Sequence, residues 1–306
     1  MSMVKPWVSL DEQIDILVQR GLTDAPDFRD LIEHTGYYRL SGFAYPFRYR
    51  TSGTADSIER SERFLPGSSM HNVVQLYQFD ENLRSAVWLA VRELELAVRI
   101  RVGHELGRVD PLLHERLEQL WPSGKMARRA AEFTKKLNDA LKRSKEEFVI
   151  HHRRNYDDHM PVWVLTEALD FGGLVTLFSL APFDQRCVIA DRFGCRADEF
   201  ESWLRTMNLL RNISAHHARL WNKVVTVRPI TKYKENSAQF SACLRNPGKP
   251  FAALTILAYL LARMGASSKQ RTLQVVLSEF PTHIPGITPA MMGMPRNWDN
   301  APVWQC

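Results

Sequence analysis

Apolar positions recur at helical spacing through most of this chain. Ser9-Leu10-Asp11-Glu12 has the form of a capping box, and Leu10, Ile14, Leu17 and Val18 follow on one helical face until Gly21. A second short helix is predicted over about Asp27 to His34. Beyond it, Tyr37 to Phe47 is aromatic and rich in turn residues, and with Arg63-Phe64-Leu65 it predicts a small hairpin across the polar Ser52 to Ser57 loop. From Ser69, the positions Val73, Leu76, Tyr77, Leu83, Val87, Val91, Leu94 and Val98 mark one face of a long helix reaching about Gly103. Pro161 precedes a helix expected to stop at Gly172-Gly173. Further helices are predicted at about Gly173 to Leu180, Ala197 to Trp221, Pro250 to Met264 and Arg271 to Phe280. Strands are almost absent, so the fold class is all-α. The expected organisation is a small N-terminal helical subdomain (1–66), a main helical domain (67–280) and a C-terminal tail (281–306). The tail's prolines, with Trp298 and Trp304, predict an extended segment packed on the body.

Composition narrows the function classes. With 306 residues, 45% apolar and 24% charged, the chain is a folded globular protein and not a disordered or low-complexity one. Cys187, Cys195, Cys243 and Cys306 form no C-x-x-C pair and no metal-ligand spacing, so reduced thiols are expected, without a bound metal or cofactor. The start of the chain shows no secretory signal, which predicts a cytoplasmic protein. The longest apolar run, Phe251 to Leu261, falls short of the roughly 20 residues that a bilayer crossing demands, so no membrane partner is expected.

The net charge is +6, and 29 of the 40 basic residues are arginine. A planar guanidinium fork matches phosphate, so this bias points to a nucleic-acid partner, with ordinary surface charge an equally good explanation at this point. The segment Lys125 to Arg154 is strongly basic. It reads either as a solvated helix, with Glu132, Asp139, Glu146 and Glu147 as counter-charges, or as a surface that tracks a polynucleotide backbone.

The stretch Trp203 to Asn222, treated as one helix at about 100° per residue, separates into two faces. Trp203, Leu209, Leu210, Ile213, Leu220 and Trp221 form an apolar stripe, to which His217 also points. Arg205, Asn208, Asn212, His216, Arg219 and Asn222 form a polar face without Lys, Glu or Asp. Solvated helix faces are usually filled by those good helix formers, whereas Asn and His bring donor and acceptor atoms to aim at a ligand. Arg211 and His216 have the spacing R-x-x-x-x-H, with Asn212 directly after the arginine. Chance gives roughly one such pair in a chain of this composition, and there are four: Arg29 with His34, Arg99 with His104, Arg154 with His159, and Arg211 with His216.

Context separates the four. Arg29 sits among Asp27, Asp30 and Glu33, and Arg154 and His159 straddle Asp157 and Asp158. Arg99 and Arg84 each follow an acidic residue, Glu95 and Asp80, by four positions, which predicts internal bracing; His104 reads as a cap or core histidine. Only the fourth pair lies on the Asn, Arg and His face, although an ideal helix puts Arg211 and His216 about 140° apart.

Several segments together are similar to the Abi-like (abortive infection) proteins of bacteria. They are Tyr37-Tyr38-Arg39-Leu40-Ser41-Gly42, Tyr77-Gln78-Phe79-Asp80-Glu81-Asn82-Leu83-Arg84, Glu95 with Arg99, Pro161-Val162-Trp163 with Glu167 and Phe171-Gly172, and Leu210 to Asn222. The closing Met292 to Trp298 and Pro302-Val303-Trp304 look like the family's tail, with Met294 where an aromatic residue is expected. The resemblance implies a HEPN-like helical bundle and a metal-independent ribonuclease motif formed by Arg211, Asn212 and His216. It further implies a setting in phage defence or toxin-antitoxin behaviour, with a possible RNA or protein antitoxin.

RNA carries its own nucleophile, the ribose 2′-hydroxyl. His216 can move a proton near neutral pH, Arg211 can hold the phosphate oxygens, and Asn212 can orient either. Arg205, Asn208, Arg219, Asn222, Arg84 and Arg99 are the candidates for RNA contact or support. One motif supplies one histidine, so a homodimer with a composite site is expected from the resemblance. Two other readings stay open: an RNA-binding or antitoxin-held module with weak catalysis, and a helical interaction scaffold.

Overall fold

The computed structural model describes residues 4–51, 59–234 and 236–305. Among them thirteen α-helices and one two-stranded ribbon are found, so the fold is an all-α bundle as expected. The helices are α1 Leu10–Arg20, α2 Arg29–Thr35, α3 Tyr37–Ala44, α4 Met70–Val109, α5 Leu117–Leu120, α6 Gly124–Arg143 and α7 Glu147–Asn155. They continue with α8 Val162–Ala168, α9 Phe171–Leu180, α10 Phe183–Arg192, α11 Ala197–Ala215, α12 Pro250–Arg263 and α13 Ser267–Ser278. No helix is long and apolar enough to cross a membrane, among the described residues. The chain divides into two compact units, Met1–Leu83 with Val276–Met291 and Arg84–Val275 with Met292–Cys306.

In the first unit the capping box is formed: Glu12 N–H donates to Ser9 Oγ and Ser9 N–H to Glu12 Oε2. Ile14, Leu17, Leu22, Ile32, Leu40, Phe43 and Phe64 are buried together as its core. The predicted hairpin exists in part. Strand β1, Arg48–Arg50, pairs antiparallel with β2, Arg60–Phe64, with Arg48 opposite Phe64 and Arg50 opposite Arg60. The Ser52 to Ser57 loop lies outside the described residues. Tyr37–Ala44, by contrast, is helix α3 and not part of the ribbon, because burial of Leu40, Phe43 and Ala44 on one face overrides the weak helix propensity of its tyrosines and glycine. Asp24 caps α4: its two carboxylate oxygens accept from the Met70 and His71 N–H groups at 2.7 and 3.0 Å.

The second unit holds the larger core. On α4, Val87, Val91, Leu94, Val98, Val102 and Leu106 are fully buried, and α9, α11 and α12 add buried apolar residues of their own to this unit. α4 runs past the expected stop at Gly103 to Val109. Its glycines permit close approach rather than termination: a Cβ on Gly103 would stand 2.9 Å from Trp163 Cα, and one on Gly107 would stand 2.5 Å from the Trp163 ring. Gly172 and Gly173 likewise do not stop a helix. They lie in the first turn of α9, whose N-cap Asp170 accepts from Gly173 N–H at 2.7 Å.

The chain after Met291 forms short 3₁₀ turns at Trp298–Asn300 and Pro302–Trp304. Trp298 and Trp304 pack on Phe251 with ring centroids 5.5 and 5.8 Å away, and Met294 is buried. Cys187, Cys195 and Cys243 are free thiols, and burial pushes the Cys243 thiol up to about 11, so it packs as a small apolar group.

Candidate active site

Helix α11 carries the candidate residues, and its end decides their geometry. The helix stops at Ala215, with His216 as C-cap and His217 in the left-handed region at φ 54°. Ala218 N–H donates to Ile213 O at 3.0 Å and His217 N–H to Ser214 O at 3.3 Å, the paired bonds of a Schellman stop. The expected continuation to Trp221 is therefore corrected: Arg219 to Asn222 follow the helix end instead of extending its polar face. His217 is exposed and does not point to the apolar side. The chain leaves the helix only after His216, whose N–H still donates to Asn212 O at 3.0 Å, so the separation of about 140° between Arg211 and His216 on an ideal helix is not removed by the stop.

Arg211 is half-buried, and its guanidinium lies over the Trp88 ring, 5.5 Å from the centroid. Its Nη1 donates to Asn212 Oδ1 at 3.2 Å, while its Nε is buried without a hydrogen-bond partner. Among the described residues no carboxylate pairs with it. Asn212 is the link between the two ends of the motif, since its backbone carbonyl accepts from His216 N–H at 3.0 Å. His216 itself is exposed. The arrangement offers a half-buried cation with no carboxylate partner and, at the end of the same helix, an accessible imidazole. That combination can bind an oxyanion and exchange a proton with it.

The remaining candidates divide into three groups. Asn208 lies one turn before Asn212, and a Cβ on Gly172 would sit 3.3 Å from its Nδ2, so α9 approaches α11 closely there. Arg205, a further turn back, is bound to Glu201. Arg219 is half-buried, and Asn222 Oδ1 accepts from Lys249 Nζ at 3.3 Å. Arg84 and Arg99 are buried on α4. Arg99 Nη2 donates to Glu95 Oε1 and to Leu169 O, each at 2.9 Å, and Nη1 bonds to Thr166 O. It thereby fixes the α8 to α9 junction and has no exposed fork to offer a ligand. His104 is exposed within the last turns of α4, not a cap or core residue, because that helix continues past it.

Sequence reasoning missed Trp88. On a helix as apolar as α4 its ring reads as one more core residue, and only its half-exposure and its place under Arg211 distinguish it. It also missed Arg186 and Glu201, and took Arg129 only as part of the basic segment Lys125 to Arg154; both arginines share Glu201 with Arg205.

Comparison with known proteins gives a family match: the Abi-like protein family covers residues 30–222, which contains Trp88, Arg99, Arg211, Asn212 and His216. No curated protein and no solved structure matches the chain.

Proposed function

The chain belongs to the Abi-like protein family, which points to abortive infection as its setting, and from that premise we propose that it is a metal-independent endoribonuclease of the HEPN type. The carrying observation is the half-buried Arg211 guanidinium, stacked on Trp88, bonded to Asn212 and lacking a carboxylate, at the helix end where exposed His216 stands. A half-buried guanidinium that no carboxylate neutralises, among the described residues, is suited to take a phosphodiester as its counter-charge.

In the proposed reaction the ribose 2′-hydroxyl loses its proton to a base and attacks the adjacent phosphorus. The 5′-oxygen leaves and takes up a proton, giving a 2′,3′-cyclic phosphate and a 5′-hydroxyl. Arg211 holds the non-bridging oxygens as charge builds in the pentavalent transition state, and Asn212 keeps the guanidinium in place. His216 serves one of the two proton transfers. In-line cleavage uses both a base and an acid, so two copies of the motif in a homodimer complete the chemistry. An apolar row on α4, Leu89, Leu96 and Ile100, is exposed on one face of the helix that carries Trp88, and it suits burial against a second copy. An RNA or protein antitoxin that covers His216 would restrain such an enzyme.

The test is to express the wild type, Arg211→Ala and His216→Ala, score growth, and incubate each purified protein with RNA in EDTA. The reading expects toxicity and cleavage from the wild type alone. Equal RNA binding by all three without cleavage would leave a binding module, and no RNA affinity would leave a scaffold.

A further inference from the structure

Six residues before Arg211 on α11, or about 9 Å along the axis and about 120° around it at 1.5 Å and 100° per residue, Arg205 borders a cavity of about 470 Å³ in the same unit. Trp121, Lys125, Arg129, Arg186 and Glu201 also line it. Four cations thus face one carboxylate. Glu201 Oε2 accepts from Arg186 Nη1 at 2.9 Å, Oε1 bonds to Arg205 Nη2, and Arg129 Nη1 stands 3.7 Å from Oε1. Arg186 Nε is buried with no partner. Burial first, and then the charge of Arg205, pull the Arg129 guanidinium below its ordinary affinity for a proton.

Three guanidinium groups offer about five N–H donors each, so one carboxylate leaves both their charge and most of their donors uncompensated. The neighbouring cavity of about 960 Å³ between α6 and α9 differs in this respect, since three cations and four carboxylates line it. Of the two, only the smaller cleft carries a surplus of positive charge.

We propose that this cleft seats a backbone phosphate of the RNA strand, a short way along from the phosphate at Arg211. The proposal rests on the ribonuclease reading and deepens it by naming where the substrate is gripped away from the bond that breaks. Arg129 and Arg186 are the bidentate donors, Lys125 is a mobile point charge at the rim, and Glu201 holds the forks apart until the phosphate arrives. Trp121, anchored by its Nε1 bond to Leu180 O at 2.8 Å, gives a base beside that phosphate a ring to stack on.

The test measures affinity for a labelled single-stranded RNA oligonucleotide across a salt series, in full-length protein carrying His216→Ala so that the RNA stays intact. Adding Lys125→Gln with Arg205→Gln, both at the accessible rim, is expected to weaken binding and to flatten the log K against log salt slope by about 0.7 for each phosphate that the protein no longer neutralises. Glu201→Gln is expected to act in the opposite direction and tighten binding, a sign that general misfolding cannot produce. Unchanged affinity and slope in the double variant, or weaker binding in Glu201→Gln, would overturn the cleft. The two failures are separable. If protein with His216 intact cleaves RNA and the cleft variants bind it unchanged, the cleft alone is wrong; if that protein neither binds nor cleaves RNA, the ribonuclease reading fails and the cleft falls with it.

Discussion

Arg99 and Arg211 each precede a histidine by five positions, yet their guanidinium groups end in opposite circumstances. Arg99 is buried on α4 and donates to Glu95, Thr166 and Leu169, so that its charge and its fork are consumed by the protein. Arg211 at the end of α11 touches an aromatic ring and an amide oxygen, and no carboxylate among the described residues neutralises it. The two other matches differ from both: Arg29 is bound to Asp11, and Arg154 is an exposed surface cation whose His159 stands 3.1 Å from Glu115. A spacing of residues is therefore not a site. What makes one of the four a candidate is that the fold half-buries its cation over an aromatic ring without a carboxylate and leaves its exposed histidine without one as well, among the described residues.

Substitutions can break or sharpen this contrast. The largest effect is expected at Arg99: replacing it with Ala leaves Glu95 without its partner and two junction carbonyls without a donor, which should cost about 3–5 kcal/mol in chemical denaturation. Arg99→Lys should recover little, because an ammonium cannot reach Glu95 and both carbonyls as a planar fork does. Arg211→Ala is expected to do the reverse. Melting should stay close to wild type while single-turnover RNA cleavage falls by about 10²–10³-fold.

Trp88→Ala removes the ring under Arg211 and should lower cleavage by about 2- to 30-fold, the range of a cation–π contact worth about 0.5–2 kcal/mol, with Trp88→Phe between the two. The smallest effect concerns His159. The Glu115 carboxylate, hydrogen-bonded to it, raises its pKa above the ordinary 6.5. A raised value means that the pair stabilises the fold fully below the unfolded-state pKa, and that this contribution disappears as pH rises through the folded one. The melting temperatures of wild type and His159→Gln should therefore differ most near about pH 5.5 and converge by about pH 8, while cleavage at neutral pH stays unchanged.

Much of this was legible in the sequence. The capping box at Ser9, the long α4 and a helix over most of Trp203 to Ala215 with Arg205, Asn208 and Asn212 on its polar side follow from periodicity and propensity alone. The end of α11 was not, because Ser214-Ala215-His216-His217 holds neither Gly nor Pro. The stop is made by His217 entering the left-handed region, a choice set by the buried Leu220 and Trp221 that follow. The glycines of α4 and α9 misled for the converse reason. They look like stops, but they serve close packing against Trp163 and Asn208. Trp88 was invisible as a site residue because its partner lies more than a hundred positions away. The cluster around Glu201 is hidden in the same way, being assembled from α6, α10 and α11.

The chemistry of the cut ends tests the account most directly. RNA incubated in EDTA with wild-type protein, then sequenced at its new termini, should carry 2′,3′-cyclic phosphates and 5′-hydroxyls, and His216→Ala should yield neither. Termini with 5′-phosphates and 3′-hydroxyls, or equal cutting by the His216 variant, would contradict a reaction run by the ribose hydroxyl with Arg211 and His216.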